Sequence, residues 1–150
     1  MNAIVPKHVL LVDDDAGDVL QAREALAEGK VTNHLHVAED GEKALAFLRR
    51  ESGFEGAPEV DIILLDLNMP RKGGREVLAE LKADPQLAGI PVAIVTGSAF
   101  EAEILEAYNL EVNCYISKPI DVPQVMKFVR SIPHFQIAIV TTRPAAGGHV

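Results

Sequence analysis

Short apolar runs recur along the chain, separated by longer stretches with a helical period. Val9-Leu10-Leu11-Val12, Ile62-Ile63-Leu64-Leu65 and Val92-Ala93-Ile94-Val95 are apolar at every position. They are too short for helices, and a strand apolar on both faces belongs in the middle of a parallel sheet. His34-Leu35-His36-Val37 alternates more and reads as an edge strand, and Val112-Asn113-Cys114-Tyr115-Ile116 reads as a fifth strand. Val19, Leu20, Ala22, Ala25 and Leu26 mark one face of a first helix that stops near Gly29. Ala44, Leu45 and Leu48 mark a second, which follows Gly41 and ends in Arg49-Arg50, and Val77, Leu78 and Leu81 a third, with Pro85 just beyond it. Ile104, Leu105 and Tyr108 mark a fourth. Asp121 caps a fifth, with Val122, Val125, Met126, Val129 and Ile132 inward. Alternating strands and helices predict an α/β fold: a doubly wound parallel sheet with helices on both faces and right-handed crossovers. Residues 52–60 read as a longer loop.

The residues at the far end of each strand carry the chemistry. Asp13-Asp14-Asp15 stand after the first strand, Asp66 after the third, Thr96 after the fourth and Lys118 after the fifth. In an open parallel sheet the carboxyl ends of the strands form one edge, where ligands bind at the topological switch point. Carboxylates, a hydroxyl and an ammonium scattered in sequence thus converge on one pocket. Close carboxylates repel one another, and such a cluster persists where a hard cation is held; Mg2+ takes oxygen ligands and bridges carboxylates to phosphoryl groups. A polar turn with Asp15 at a helix N-terminus would explain the aspartate triplet alone, and strands often end in Asp. The joint occurrence with Thr96 and Lys118 favours a site. Lys118 precedes Pro119, and a cis bond there would turn the chain sharply and hold the ammonium over the pocket.

Composition narrows the partners. The 150 residues carry 14 Lys and Arg against 22 Asp and Glu, a formal charge of −8, which disfavours a phosphate backbone as ligand. One cysteine, Cys114, excludes an intrachain disulfide and a thiolate cluster. Aromatics are 5% with no Trp, few parts for a flavin or base pocket. No apolar run approaches the roughly 20 residues of a membrane span, and no signal-peptide pattern opens the chain. The expected location is cytoplasmic, with no nucleic acid or membrane as partner.

Asp13-Asp14, Asp66 in Leu-Leu-Asp66-Leu-Asn68-Met-Pro70, Thr96 in Ile-Val-Thr96-Gly, and Lys118-Pro119 resemble the receiver domain of two-component response regulators. Residues 68–82 and 108–120, with the loop at 52–60, are similar to single-domain regulators that partner bacterial phytochrome histidine kinases. The resemblance implies a flavodoxin-like sheet of five strands in the order 2-1-3-4-5 with five helices. It runs from about Lys7 to Ile132, making 7–132 the receiver domain. Residues 133–150 are then a tail with an apolar segment, Phe135 to Val140, and a frayed end; at 18 residues the tail is too short for an output module. By the same resemblance Asp66 accepts a phosphoryl group from a kinase phosphohistidine. Asp14, Asp66 and the backbone carbonyl of Asn68 ligate Mg2+, with Asp13 acting through water. Lys118 contacts the phosphoryl oxygens, Thr96 hydrogen-bonds them after transfer, and Tyr115 moves inward behind it. Asn68 and Ser98 flank the path of attacking water. Self-phosphorylation and slow self-dephosphorylation are then the chain's only chemistry, and it is no enzyme in the ordinary sense. Two departures stand out: Gly73-Gly74 replaces a common Asp-Gly, which implies a more mobile loop, and Gln136 stands where close relatives often carry an aromatic. The signal should leave through the face of the fourth helix, fifth strand and fifth helix, paired with its copy in a homodimer.

His34 and His36 share one strand face, with no further ligands evident, and read as structural; Cys114 reads as a buried small hydrophobe. A flavodoxin-like cofactor carrier is disfavoured because Asp13-Asp14-Asp15 would repel phosphate. An aspartate-nucleophile phosphatase needs a second acid where this chain has Asn68. A non-phosphorylated, receiver-like docking module remains the alternative.

Overall fold

A computed structural model describes residues 7–29, 34–67, 69, 73–98 and 112–132. Five parallel strands, β1 (His8–Val12), β2 (His34–Ala38), β3 (Ile62–Asp66), β4 (Val92–Thr96) and β5 (Cys114–Ser117), lie in the order β2-β1-β3-β4-β5. Four helices are described: α1 (Ala16–Glu28), α2 (Gly41–Arg49), α3 (Gly74–Ala83) and α4 (Val122–Arg130). The last is the predicted fifth helix; the predicted fourth, around Ile104 to Tyr108, and the tail 133–150 lie outside the described residues.

The pleat divides the apolar strands between two cores. Val9, Leu11, Ile62, Leu64, Ala93, Val95 and Ile116 pack with Ala22 and Leu26 of α1 and Val125, Phe128 and Val129 of α4. Leu10, Val12, Ile63, Leu65, Val92 and Ile94 pack with Ala44 and Leu45 of α2 and Val77, Leu78 and Leu81 of α3. Alternate residues therefore serve opposite layers, which is why these strands show no polar face. Each fully buried aliphatic side chain contributes about 1.5–3 kcal/mol.

Four details differ from the sequence reading. Leu20 is 57% exposed rather than inward, because the stripe of the first helix that reaches the sheet runs through Val19, Ala22 and Leu26. Phe128 is fully buried, an inward residue of the last helix beyond those predicted. β5 begins at Cys114 because Asn113 enters the ladder partly with its side chain, whose Oδ1 accepts the Val92 amide at 3.1 Å. Cys114 is half-buried rather than buried. Residues 52–60 form the expected loop, and Arg50 closes α2 in the left-handed conformation. At the outer edge His8 of β1 stacks on both His34 and His36, with ring centroids 4.7 and 5.2 Å away.

Candidate functional site

Strand parity aims the acidic residues. Leu11 and Leu64 face the layer of α1 and α4, so Asp13 and Asp66, two residues further on, emerge on that same side. Asp13 keeps the extended path, its amide donating to the Ala38 carbonyl at 3.0 Å. Asp13 and Asp66 are 1% and 2% exposed, whereas Asp14 is exposed. The Asp15 amide donates to Asp13 Oδ1 at 2.8 Å, and Asp15 Oδ1 accepts the Asp18 amide at 2.9 Å as the N-cap of α1. The triplet thus divides its labour: Asp15 starts the helix, while Asp13 and Asp14 join Asp66. One carboxylate oxygen from each of Asp13, Asp14 and Asp66 lies within 4.8 Å of the others.

Lys118 supplies the compensating charge. Its Nζ lies 2.6 Å from Asp18 Oδ2, 3.0 Å from Asp66 Oδ2 and 3.3 Å from Asp13 Oδ2. Burial works against the ammonium, but hydrogen bonds to Asp18 and Asp66 and the charges of Asp66 and Asp13 hold its pKa well above the ordinary lysine value. Burial likewise pushes the Asp13 carboxyl up, with the Asp66 charge adding to it and the Asp15 amide and Lys118 opposing. Asp13 Oδ2 is buried, and among the described residues it accepts no hydrogen bond. A buried, underused carboxylate oxygen in a set of three is a donor arrangement that fits a hard divalent cation.

Of the remaining predicted residues, Thr96 closes β4 at the same edge and Tyr115 lies two residues before the end of β5. Thr96 is fully buried, and its Oγ1 donates to the Ser98 carbonyl at 2.9 Å. The Lys118 amide donates to the Thr96 carbonyl at 2.8 Å, and the Lys118–Pro119 bond is cis. Tyr115 pairs with Ile94 as Ser117 pairs with Thr96, so Tyr115 shares the face of Thr96, half-buried in the layer of α2 and α3. Asn68 lies outside the described residues. Gly74 has a packing reason for being glycine: a Cβ there would meet the Asp66 carbonyl oxygen at 2.5 Å and Leu67 Cα at 2.6 Å. A cavity of about 700 Å3 lies at the amino ends of the strands beside Val60, Ile90 and Ile132, away from these groups.

Two residues of the site escaped the sequence reading. Asp18 heads the stripe that continues through Ala22 and Leu26, one and two turns on, so helical periodicity was the available signal. Gln124 of α4 holds the strand end that carries Lys118. Its Oε1 accepts the Ser117 amide at 2.9 Å, and its Nε2 donates to the Ser117 carbonyl at 2.9 Å and the Pro119 carbonyl at 3.2 Å.

Comparison with known proteins identifies the family. Residues 9–130 match the model of the response regulator receiver domain. The chain is 41% identical to response regulator Rcp1 of Synechocystis over 141 residues, 94% of this chain and 95% of that one. The Mn2+-bound form of Rcp1 superposes with a TM-score of 0.67 at 40% identity, covering 87% of this chain and 94% of that one. The phosphorylated cyanobacterial phytochrome response regulator RcpA gives 0.66 at 41% identity, with 90% of each chain covered. The bacteriophytochrome response regulator AtBRR gives 0.77 at 32% identity, covering 83% of this chain and 91% of that one. An acidic edge with a lysine and a buried threonine, on a sheet of this order and in a chain with these relatives, leaves one conclusion: the chain belongs to the response regulator receiver domain family.

Proposed function

We propose that this receiver, spanning residues 7–132, is a phosphorylation switch in which Asp66 takes a phosphoryl group from the phosphohistidine of a sensor kinase. One Asp66 carboxylate oxygen attacks phosphorus, the phosphorus–nitrogen bond breaks, and the imidazole nitrogen keeps its electron pair. The observation that carries this reading is the convergence of the Asp13, Asp14 and Asp66 oxygens within 4.8 Å, beside the Lys118 ammonium. Phosphoryl transfer asks mainly for position and spread positive charge. Asp13, Asp14 and Asp66, with the Asn68 carbonyl, would hold Mg2+, which supplies charge neutralisation for the transferring group. Lys118 supplies a second positive charge at Asp66. The Thr96 hydroxyl gives up the Ser98 carbonyl for a phosphoryl oxygen, and Tyr115, on the same face, moves into the volume released. This is a two-position element biased by a new anion.

The likeness to RcpA and AtBRR supports a bacterial phytochrome as the kinase's sensor. The face of the predicted fourth helix, β5 and α4, with the apolar segment 135–140, is proposed to pair with its copy as a homodimer, and sedimentation of the chain truncated after Ile132 tests it. The deciding experiment for the switch is labelling by acetyl phosphate, with and without Mg2+, with the modified residue mapped. Mg2+-dependent modification of Asp66 is the expected result. Absence of labelling would favour the docking-module alternative.

A further inference from the structure

Asp18 belongs to neither the acidic triad nor the predicted phosphoryl contacts, yet it makes the shortest contact to Lys118. Nζ lies 2.6 Å from Asp18 Oδ2, against 3.0 Å from Asp66 Oδ2. The geometry points to Asp18 as the resting counter-anion of Lys118, a positioning residue that holds the ammonium toward α1 and competes with the phosphoryl group for it. This inference rests on the reading of Asp66 as phosphoacceptor.

Three considerations carry it. An ammonium has three protons to donate, and here the carboxylates of Asp18, Asp66 and Asp13 surround it. Its hydrogen bonds go to Asp18 and Asp66, and the shorter one, to Asp18, holds Nζ on the α1 side, so an ammonium that turns fully to phosphoryl oxygens does so at the expense of that bond. Asp66 loses its own carboxylate charge on becoming an acyl phosphate, so its claim on Lys118 passes to the new oxygens. Asp13 lies in the oxygen cluster that suits a divalent cation and is farther from Nζ. Asp18 is the competitor left, and it lies outside that cluster.

Its placement adds to the effect. Asp18 sits in the first turn of α1, where the aligned peptide dipoles favour its negative charge. Its side chain is 31% exposed, so the carboxylate stays solvated when the ammonium leaves. The pair also ties α1 to the end of β5 across 100 residues of sequence. Moving Lys118 to a phosphoryl oxygen would release that tie, so the first helix would sense phosphorylation along with Thr96 and Tyr115.

The test uses beryllium fluoride with Mg2+ as the phosphoryl analogue, titrated into the full chain, with binding read by 19F NMR. Asp18→Asn should bind the analogue roughly 5- to 10-fold more tightly, a coupling of ordinary size. Asp18→Glu, which keeps the charge, should stay near wild type. In a Lys118→Ala background the gain from Asp18→Asn should disappear, because the competition has lost its object. In metal-free protein, Asp18→Asn should shift the Lys118 Nζ resonance, a readout independent of phosphoryl binding. Unchanged or weaker analogue binding by Asp18→Asn overturns the inference, as does a gain that persists without Lys118. Failure of the wild type to bind the analogue, with Asp66→Asn behaving alike, would instead overturn the reading of Asp66.

Discussion

Two clusters of like groups sit on this sheet and settle their repulsion in opposite ways. At the carboxyl ends of the strands, Asp13, Asp14 and Asp66 bring carboxylate oxygens within 4.8 Å of one another. At the outer edge, His8, His34 and His36 stack, and His8 Nδ1 lies 3.0 Å from His36 Nε2. Burial disfavours charge in both: it raises the Asp13 pKa and lowers that of His36. At the histidine edge burial favours the neutral form of His36, an exit open to an imidazole near neutrality. Ordinary carboxylates have no such exit at pH 7. They require a counter-ion, and Lys118 and a divalent cation are the two available kinds. A like-charge cluster that stays charged stores a demand for cations, and that demand is what the proposed phosphorylation at Asp66 would draw on.

The largest test of this contrast removes the nucleophile. Asp66→Ala should abolish labelling by acetyl phosphate while the fold survives, because Asp66 closes a strand whose other residues are all buried and apolar. Full labelling of the variant would place the acceptor elsewhere. Lys118→Ala comes next. It should remove most phosphorylation-dependent change in partner binding and leave slow labelling. It also strips the counter-ion from two nearly buried carboxylates, so metal-free stability in urea should fall by about 1–3 kcal/mol. Added Mg2+ should restore more stability to this variant than to wild type.

The acidic cluster itself can be thinned. Asp14→Ala should weaken Mg2+ binding about 10-fold or more, measured by calorimetry. Asp13→Asn should also lose metal affinity but gain about 1 kcal/mol of metal-free stability. Burial is the main force on this carboxyl, and an amide oxygen can still accept the Asp15 amide. An Asp13→Asn protein less stable without metal would show that Lys118 already neutralises the cluster in full.

These expectations differ in how far the sequence exposed them. The three central strands were legible because apolar residues stand at every position, and the residues closing or succeeding them then point to Asp13, Asp66 and Thr96 without any knowledge of packing. Asp18 and Gln124 were hidden because each is a lone polar residue in the first turn of a helix, where a polar side chain ordinarily meets solvent. Only the register of Asp18 with Ala22 and Leu26 distinguishes it, and only the tertiary meeting of α4 with the β5 end reveals Gln124. Leu20 misleads for the related reason that an apolar residue beside an inward stripe looks like part of it. Asp15 was legible in both of its readings, and the structure divides them between neighbouring residues.

The smallest effect lies at the histidine edge. The His36 pKa is lowered first by burial, then by the charges of His8, His34 and Arg23. Its ring also stacks on Phe47, with centroids 5.1 Å apart. A folded-state pKa below the unfolded value of 6.5 means that, in the window between them, the unfolded chain binds a proton that the native one refuses. Stability is therefore lost as pH falls from about 7 through that window, and it is retained above it. His36→Gln cannot take up the proton in either state, so it should flatten the fall in urea midpoint between roughly pH 7.5 and pH 5.5. The half-buried ring is partly screened by water, so the change in slope should be modest and should shrink little with added Mg2+. That insensitivity to Mg2+ is what separates the two edges. A His36→Gln protein with the full wild-type pH slope would move the acid sensitivity to other groups, and a strong Mg2+ dependence of the slope would assign it to the acidic cluster.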